Sequence, residues 1–158
     1  MPKEEGSLLH GSGTEPLDDR RQREVVSTFY YFDRTANAKY DGGRTRFRPL
    51  DDPENPEINH EILFGPDIYP GPNLADPNSC LSLRGAVVHE LTHKARHDDA
   101  TEINALEREH IDEALTSLSA ILRFQRKLED HDIFGLVADA VQRLQKFANE
   151  HTAEVAED

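Results

Sequence analysis

The pattern His-Glu-x-x-His at residues 89–93 constrains this chain more than any other feature. If the segment is helical, His89 and His93 lie one turn apart on the same face, with about 6 Å between their Cα atoms. Two imidazoles at that spacing can bind one metal ion. Glu90 points about 100° away around the helix, so its carboxylate can reach a water molecule on that ion. The spacing predicts His89 and His93 as zinc ligands and Glu90 as a general base.

The residues around this pattern predict a helix packed into a core. A valine pair precedes the first histidine, and Leu91 continues the same apolar side. Asn78 or Ser79 is a candidate N-cap, and the helix is expected to end near His97. Gly85, four residues before the first histidine, costs about 1 kcal/mol relative to alanine inside a helix, which indicates a packing or access role. We expect the small residues on this side to leave room for a substrate.

A catalytic zinc ion needs a third protein ligand. His97 lies about 12 Å from His89 along the helix, too far for one ion to bind both while His93 sits between them. The third ligand must then come from the following helix. Glu113 is best placed there, because apolar residues flank it and a carboxylate in such surroundings needs a cation or a partner. Glu109, one turn earlier, is the alternative.

The ends of the chain are polar, and one domain is expected between them. We expect a flexible leader at residues 1–19, a single domain at residues 20–150 and a polar tail at residues 151–158. Residues 20–24 predict a short helix. The β-branched and aromatic run at 25–32 predicts a strand.

Turn signals and alternating residues predict a small sheet before the motif. A turn at residues 41–43 is expected to join strands 36–40 and 44–48 into a hairpin, with three arginines on the exposed face of the second strand. A further strand is predicted at 60–64. Either of the last two strands is a candidate edge strand that pairs with the extended backbone of a substrate.

The second half of the chain predicts helices. Apolar residues at helical spacing predict one long helix from Ile103 to about His131, capped by Asp99 or Thr101. Asp132 is expected to cap a last helix.

Composition limits the partners. The chain has 31 acidic and 18 basic residues, a net charge of −13, which argues against nucleic acid and against an anionic membrane surface as partners.

The single cysteine, Cys80, excludes an internal disulfide and is expected to be a buried or free thiol. No apolar run approaches the ~18 residues of a membrane span, and the N-terminus lacks the pattern of a signal peptide. We expect a protein that is cytoplasmic where it is made, or exported by a route without such a signal.

The motif His89-Glu90-Leu91-Thr92-His93, with Glu113-Ala114 in the next helix, resembles the gluzincin type of zinc metallopeptidase. The approach through Ile62-Leu63-Phe64, a proline-rich loop and a short apolar run is similar to small peptidases among bacterial effectors and polymorphic toxins. The family pattern has a familiar alanine directly after the second histidine, whereas this chain has Lys94 at that position.

This resemblance implies an α+β fold, a minimal zincin-like domain. A small, mostly antiparallel sheet would pack on the motif helix, and two C-terminal helices would follow. The resemblance also implies Zn²⁺ as the cofactor and a protein or peptide as the substrate. It implies His89, His93 and Glu113 as the zinc ligands, with Glu90 activating the zinc-bound water.

Other interpretations stay open at this stage. The chain could be a non-catalytic helical interaction protein with an incidental or structural metal site, or a zinc hydrolase with a non-peptide substrate. His110 could orient Glu113, or be an ordinary surface or core histidine. A donor should also stabilise the oxyanion. Four residues are candidates for that donor: Tyr40, His60, Tyr69 and His131.

Overall fold

The computed structural model describes residues 15–70 and 81–157. It confirms the α+β class, with two helices after the motif helix. Over the described residues the elements are α1 (Asp19–Phe32), β1 (Ala38–Tyr40), β2 (Arg46–Pro49), β3 (His60–Phe64), α2 (Leu83–Asp98), α3 (Glu109–Phe124) and α4 (Asp130–Glu157). None of the helices in these ranges has the length and apolar character needed to cross a membrane.

Helix α1 replaces the strand that was predicted at residues 25–32, and that prediction is wrong. Val25, Phe29 and Phe32 are buried at spacings of four and three, which is the helical period, so one face of the helix enters the core. Asp18 caps the helix by accepting a hydrogen bond from the Arg21 backbone amide at 2.9 Å. The β-branched and aromatic composition of this run was outweighed by its periodicity and cap.

Packed structure begins inside the segment that was predicted as a leader. Leu17 is buried, and its backbone amide donates a hydrogen bond of 3.1 Å to the Tyr40 hydroxyl. Residues 1–14 of that segment lie outside the described residues. The fold therefore includes two residues of the expected leader before α1, the buried Leu17 and the N-cap Asp18.

The sheet has the order β1-β3-β2, so the predicted hairpin is wrong. A turn does follow β1, and Gly42 adopts a φ of 81°, which suits glycine. The chain then crosses over instead of pairing β1 with β2. Strand β3 pairs in parallel with β1 and antiparallel with β2, which makes the sheet mixed. The apolar β3 takes the buried centre, and the arginine-bearing β2 stays at the edge.

Helix α2 begins later than its sequence suggested. Ser82 is the N-cap and accepts a hydrogen bond from the Gly85 backbone amide at 3.0 Å, so the expected caps Asn78 and Ser79 are wrong. Both residues, like Cys80, lie outside the described ranges. The helix ends at Asp98, one residue beyond expectation.

The glycine of this helix has a packing role. A Cβ on Gly85 would lie 3.8 Å from Leu136 of α4 and 3.3 Å from the Ser82 hydroxyl. The Leu136 distance is an ordinary van der Waals contact, so the tight neighbour is the Ser82 hydroxyl, and the glycine leaves room for this N-cap at the first turn of α2. Gly85 does not line the cavity described below, whereas its neighbour Ala86 does.

The predicted helix from Ile103 to His131 is also wrong in its extent. Residues 101–105 are irregular, a 3₁₀ turn covers Leu106–Arg108, and α3 occupies only Glu109–Phe124. The Ile103 backbone amide donates to the Asp112 carboxylate at 2.8 Å, which holds the segment in its non-helical path.

Helix α4 begins at Asp130 and continues through the predicted polar tail to Glu157. Asp132, the expected cap, lies at the third helical position. Its carboxylate accepts a hydrogen bond of 3.0 Å from the Glu129 backbone amide, as the third residue of a capping box does. The same carboxylate accepts a hydrogen bond from Ser82, which ties the starts of α2 and α4 together.

Candidate metal centre

Helices α2 and α3 bring three potential metal ligands together. His89 Nε2 lies 2.7 Å and His93 Nε2 lies 3.0 Å from the same oxygen, Oε2 of Glu113. The three donor atoms all lie within 4.8 Å of one another, the one such cluster in the described part of the chain. Donors whose bonds to zinc are about 2 Å long must converge in this way.

The alternative ligand Glu109 does not join this cluster. It is exposed and lies at the start of α3, on the wall of the adjacent cavity. Glu113, one turn further along, points between the two imidazoles. Helix α3 starts at Glu109 instead of near Thr101, so Glu113 lies only about one turn into that helix.

The other nitrogen of His89 is held by a buried hydroxyl. His89 Nδ1 lies 2.8 Å from Ser117 Oγ, and that hydroxyl lies 2.5 Å from Asp139 Oδ2. Because the single hydroxyl proton of Ser117 is donated to the carboxylate, Ser117 accepts from the Nδ1–H of His89. Nε2 is then the nitrogen that faces Glu113: it donates its proton to the carboxylate here, and a metal ion would bind in the place of that proton.

Helix α4 completes the surroundings of the cluster. The guanidinium of Arg143 contacts both oxygens of Asp139 through Nε at 3.1 Å, and Nη1 lies 4.0 Å from Glu113 Oε2. Asp139 is fully buried and Arg143 nearly so. Neither residue was selected from the sequence. A signal was present, since they are the only charged residues between Ile133 and Leu144 and lie one turn apart.

His110, which was one candidate to orient Glu113, does not contact it. Its Nε2 lies 3.3 Å from Glu150 of α4 instead. His110 therefore makes a contact between α3 and α4, away from the cluster.

None of the four candidate oxyanion donors lines the cavity beside the cluster. The Tyr40 hydroxyl accepts from Leu17, and the Tyr69 hydroxyl donates to Glu24. His60 contacts Asn37 and Asn59, and His131 is exposed beside Glu129. The side chains of Tyr40, Tyr69 and His60 make contacts within the fold, and that of His131 is exposed to solvent. Arg143 does line the cavity, and its 4.0 Å distance from Glu113 makes it a candidate donor near the cluster.

Glu90 lines the same cavity, and one of its oxygens has no partner among the described residues. Its Oε2 has almost no accessible surface and makes no hydrogen bond to the described residues. Burial raises the pKa of Glu90, although the charges of His93 and His89 oppose the shift. A buried carboxylate with a raised pKa and a free oxygen is suited to accept a proton.

The pKa values of His93 and Glu113 shift in opposite directions. Burial lowers the pKa of His93, but the hydrogen bond with Glu113 and the charge of Glu90 outweigh it and raise that pKa to about 9. Burial raises the pKa of Glu113, but hydrogen bonds from His89 and His93 outweigh it, so the net shift is well below the usual range. Glu113 is therefore anionic near neutral pH, as a metal ligand must be.

A cavity of about 600 Å³ opens beside these groups. Strand β2 forms one wall, and the ring of Phe47 packs against His97 of α2 with 5.6 Å between centroids. One edge of β2 pairs with β3, and among the described strands none pairs with its other edge. Of the two candidate edge strands, 60–64 is central in the sheet, and only the β2 segment fits the role.

Lys94, which follows the second histidine, has a structural partner. Its Nζ lies 3.1 Å from Asp33 Oδ2 and 3.0 Å from the Thr35 hydroxyl, just after α1. The side chain is mostly buried. Lys94 therefore fixes the motif helix against the end of α1.

No family model, curated protein or solved structure matches this chain. The chemistry of the cluster therefore has to be argued from its own geometry.

Proposed function

We propose that this chain is a zinc-dependent peptidase. The observation that carries the proposal is the convergence of His89 Nε2, His93 Nε2 and Glu113 Oε2 beside an open cavity that also holds Glu90. Two imidazoles and one carboxylate are a donor set of catalytic zinc, which keeps a further position open for reaction.

The surroundings of the donors fit a metal ion. Ser117 and Asp139 fix the His89 tautomer with Nε2 available, and Glu113 is held as an anion. Partners of this kind orient the ligands in metal sites. Zinc bound here would polarise a peptide carbonyl and make water acidic enough to attack near neutral pH.

The residues of the chain supply the remaining steps. Glu90 accepts a proton from the attacking water as the new C–O bond forms. It then delivers that proton to the amine nitrogen as the C–N bond breaks. Arg143, 4.0 Å from Glu113, offers positive charge toward the oxygen that becomes negative. The free edge of β2 can hold extended substrate backbone through main-chain hydrogen bonds.

The cavity favours catalysis over a structural metal site. Structural zinc sites are closed by four protein ligands, whereas three donors converge here among the described residues. An unpartnered buried oxygen on Glu90 also has no purpose in a closed structural site.

Metal content and peptide hydrolysis test the proposal together. We expect one zinc per chain after purification without chelator, and cleavage of a peptide library that stops on chelation and returns with zinc. Glu90→Gln should keep the zinc and lose about 10²–10⁴-fold in rate, because it removes only the base.

Glu102→Gln is the matched control, since Glu102 lines the same cavity but pairs with His97. It should keep most of the rate. A purified protein that contains no zinc and takes none up on reconstitution would overturn the proposal. So would a Glu90→Gln variant with unchanged turnover.

A further inference from the structure

The outer surfaces of α3 and α4 expose large apolar side chains. Leu122 is 75% and Phe134 is 71% exposed, and neighbouring apolar residues are each about two-fifths exposed or more. On α4 they recur at spacings of three, four and three, the pattern of the a and d positions in helical bundles. The apolar stripe consists of Leu115, Leu118 and Leu122 on α3 and Phe134, Val137, Val141 and Leu144 on α4.

These side chains form one continuous patch. The helices run antiparallel, because Ser117 contacts Asp139 while Glu113, one turn earlier, contacts Arg143, one turn later. In that register the exposed residues of the two helices lie side by side, at positions 115 and 141, 118 and 137, and 122 and 134. Seven such side chains span several hundred Å², roughly the size at which an exposed apolar patch marks an interaction surface.

The patch also lacks charge, in a chain with 31 acidic and 18 basic residues. Residues 114–122 of α3 contain none. Residues 133–145 of α4 contain only Asp139 and Arg143, and both are buried on the inner face. Charged side chains are common on solvent-exposed surfaces and depleted at the centres of interfaces, so their absence here indicates that a partner covers this surface.

We propose that a second copy of this chain covers the apolar stripe, forming a homodimer in which the two α3–α4 pairs pack as a four-helix bundle. Two copies with a net charge of −13 repel each other, and an uncharged face is where they can meet at least cost. A two-helix layer with bundle spacing is also complementary to itself about a two-fold axis. The interface is independent of the proposed zinc chemistry.

The dimer would support the cluster from behind. The inner face of α4 presents Asp139 and Arg143 to Ser117 and Glu113, while its outer face carries the stripe. Burying the outer face presses α4 onto α3, and the two helices already make the most extensive contact between elements of the fold.

Sedimentation equilibrium and light scattering of the full chain test the proposal over a wide range of protein concentration. We expect the wild type to have twice the mass of one chain. Leu122→Glu and Phe134→Glu place a charge at the two most exposed positions of the stripe, so both should be monomeric. Far-ultraviolet circular dichroism identifies variants that keep their helices. Leu122→Gln and Phe134→Gln replace any glutamate variant that loses its helices, and they should raise the dimer dissociation constant at least tenfold.

Ile58→Glu is the control, because Ile58 is an exposed apolar residue in the loop before β3, away from both helices. It should remain dimeric. A wild type that is monomeric at every concentration would overturn the proposal. A dimer that persists unchanged in folded Leu122 and Phe134 variants would overturn it as well, since its interface would then lie elsewhere.

Discussion

Arg96 of α2 and Asp112 of α3 form a largely buried ion pair, with 2.8 Å between Nη2 and Oδ1. Through Nη1 the same guanidinium donates to the Asp112 carbonyl oxygen at 2.8 Å and to the Thr116 hydroxyl at 2.6 Å. Because Asp112 directly precedes Glu113, this contact fixes the register that brings Glu113 to the two histidines.

Replacing Arg96 with methionine should therefore destabilise the fold strongly. The substitution leaves the Asp112 carboxylate without its charged partner, and breaking a buried pair costs about 3–5 kcal/mol. Chemical denaturation measures the loss. Arg123→Met is the control, because Arg123 pairs with Asp99 at the surface and should cost at most about 1 kcal/mol. Equal losses of unfolding free energy in the two variants would show that the Arg96 contact contributes no more to stability than a surface ion pair.

Glu113 and Glu109 should differ sharply in zinc binding. Glu113→Ala removes a converging oxygen and should weaken zinc affinity at least tenfold. Glu109→Ala alters an exposed residue on the cavity wall and should change the affinity little. Competition with a zinc indicator on metal-free protein gives both values. The opposite ranking would assign the third ligand to Glu109.

Ala100 offers a stabilising substitution. It follows the C-cap of α2 with a φ of 55°, and the Thr101 and Ala100 amides donate to the Arg96 and His97 carbonyl oxygens. This is a Schellman ending, in which glycine avoids the steric strain of a left-handed residue. Ala100→Gly should raise the free energy of unfolding by roughly 0.5–1 kcal/mol.

Ala95→Gly, inside the same helix, is the matched control and should lower stability by about 1 kcal/mol. Thermal or chemical unfolding of the two variants compares them directly. Stabilisation by both substitutions, or by neither, would contradict the assignment of strain to position 100.

His60 should make the fold sensitive to mild acid. Its Nε2 accepts a hydrogen bond from the Asn37 amide, and burial, followed by the charge of Lys94, lowers the pKa of His60 below 6.5. As pH falls through 6.5, the unfolded state gains a proton that the folded state does not, so stability decreases until the folded pKa is reached.

His60→Gln should flatten this part of the stability profile, because a glutamine side chain retains an acceptor and does not titrate. Denaturation curves at a series of pH values below neutral, for wild type and variant, provide the comparison. An unchanged slope in the variant would remove His60 as the cause.

The motif half of the candidate site could be predicted because its geometry is local. One helical turn places His89 and His93 on one face and Glu90 beside them, whatever the rest of the fold does. Glu113 could be selected by chemistry, as a carboxylate among apolar neighbours. Its path could not be predicted, because the start of α3 depends on the Ile103 amide bonding to Asp112, a tertiary contact.

Other features depended on contacts between segments distant in sequence. The run at 25–32 has the composition of a strand, yet its burial against the sheet follows helical spacing. Strand β3 was predicted, but its central place follows from pairing with two strands that precede it. Asp139 and Arg143 belong to the candidate site only because α4 folds back along α3.

The antiparallel return of α4 has a consequence for a chain leaving the ribosome. His89, His93 and Glu113 all emerge before Asp139 and Arg143. A nascent chain that ends just after α3 would hold every donor of the cluster, while the Ser117 hydroxyl still lacked the carboxylate that fixes the His89 tautomer. The cluster therefore reaches its final protonation pattern only when the last helix has been made.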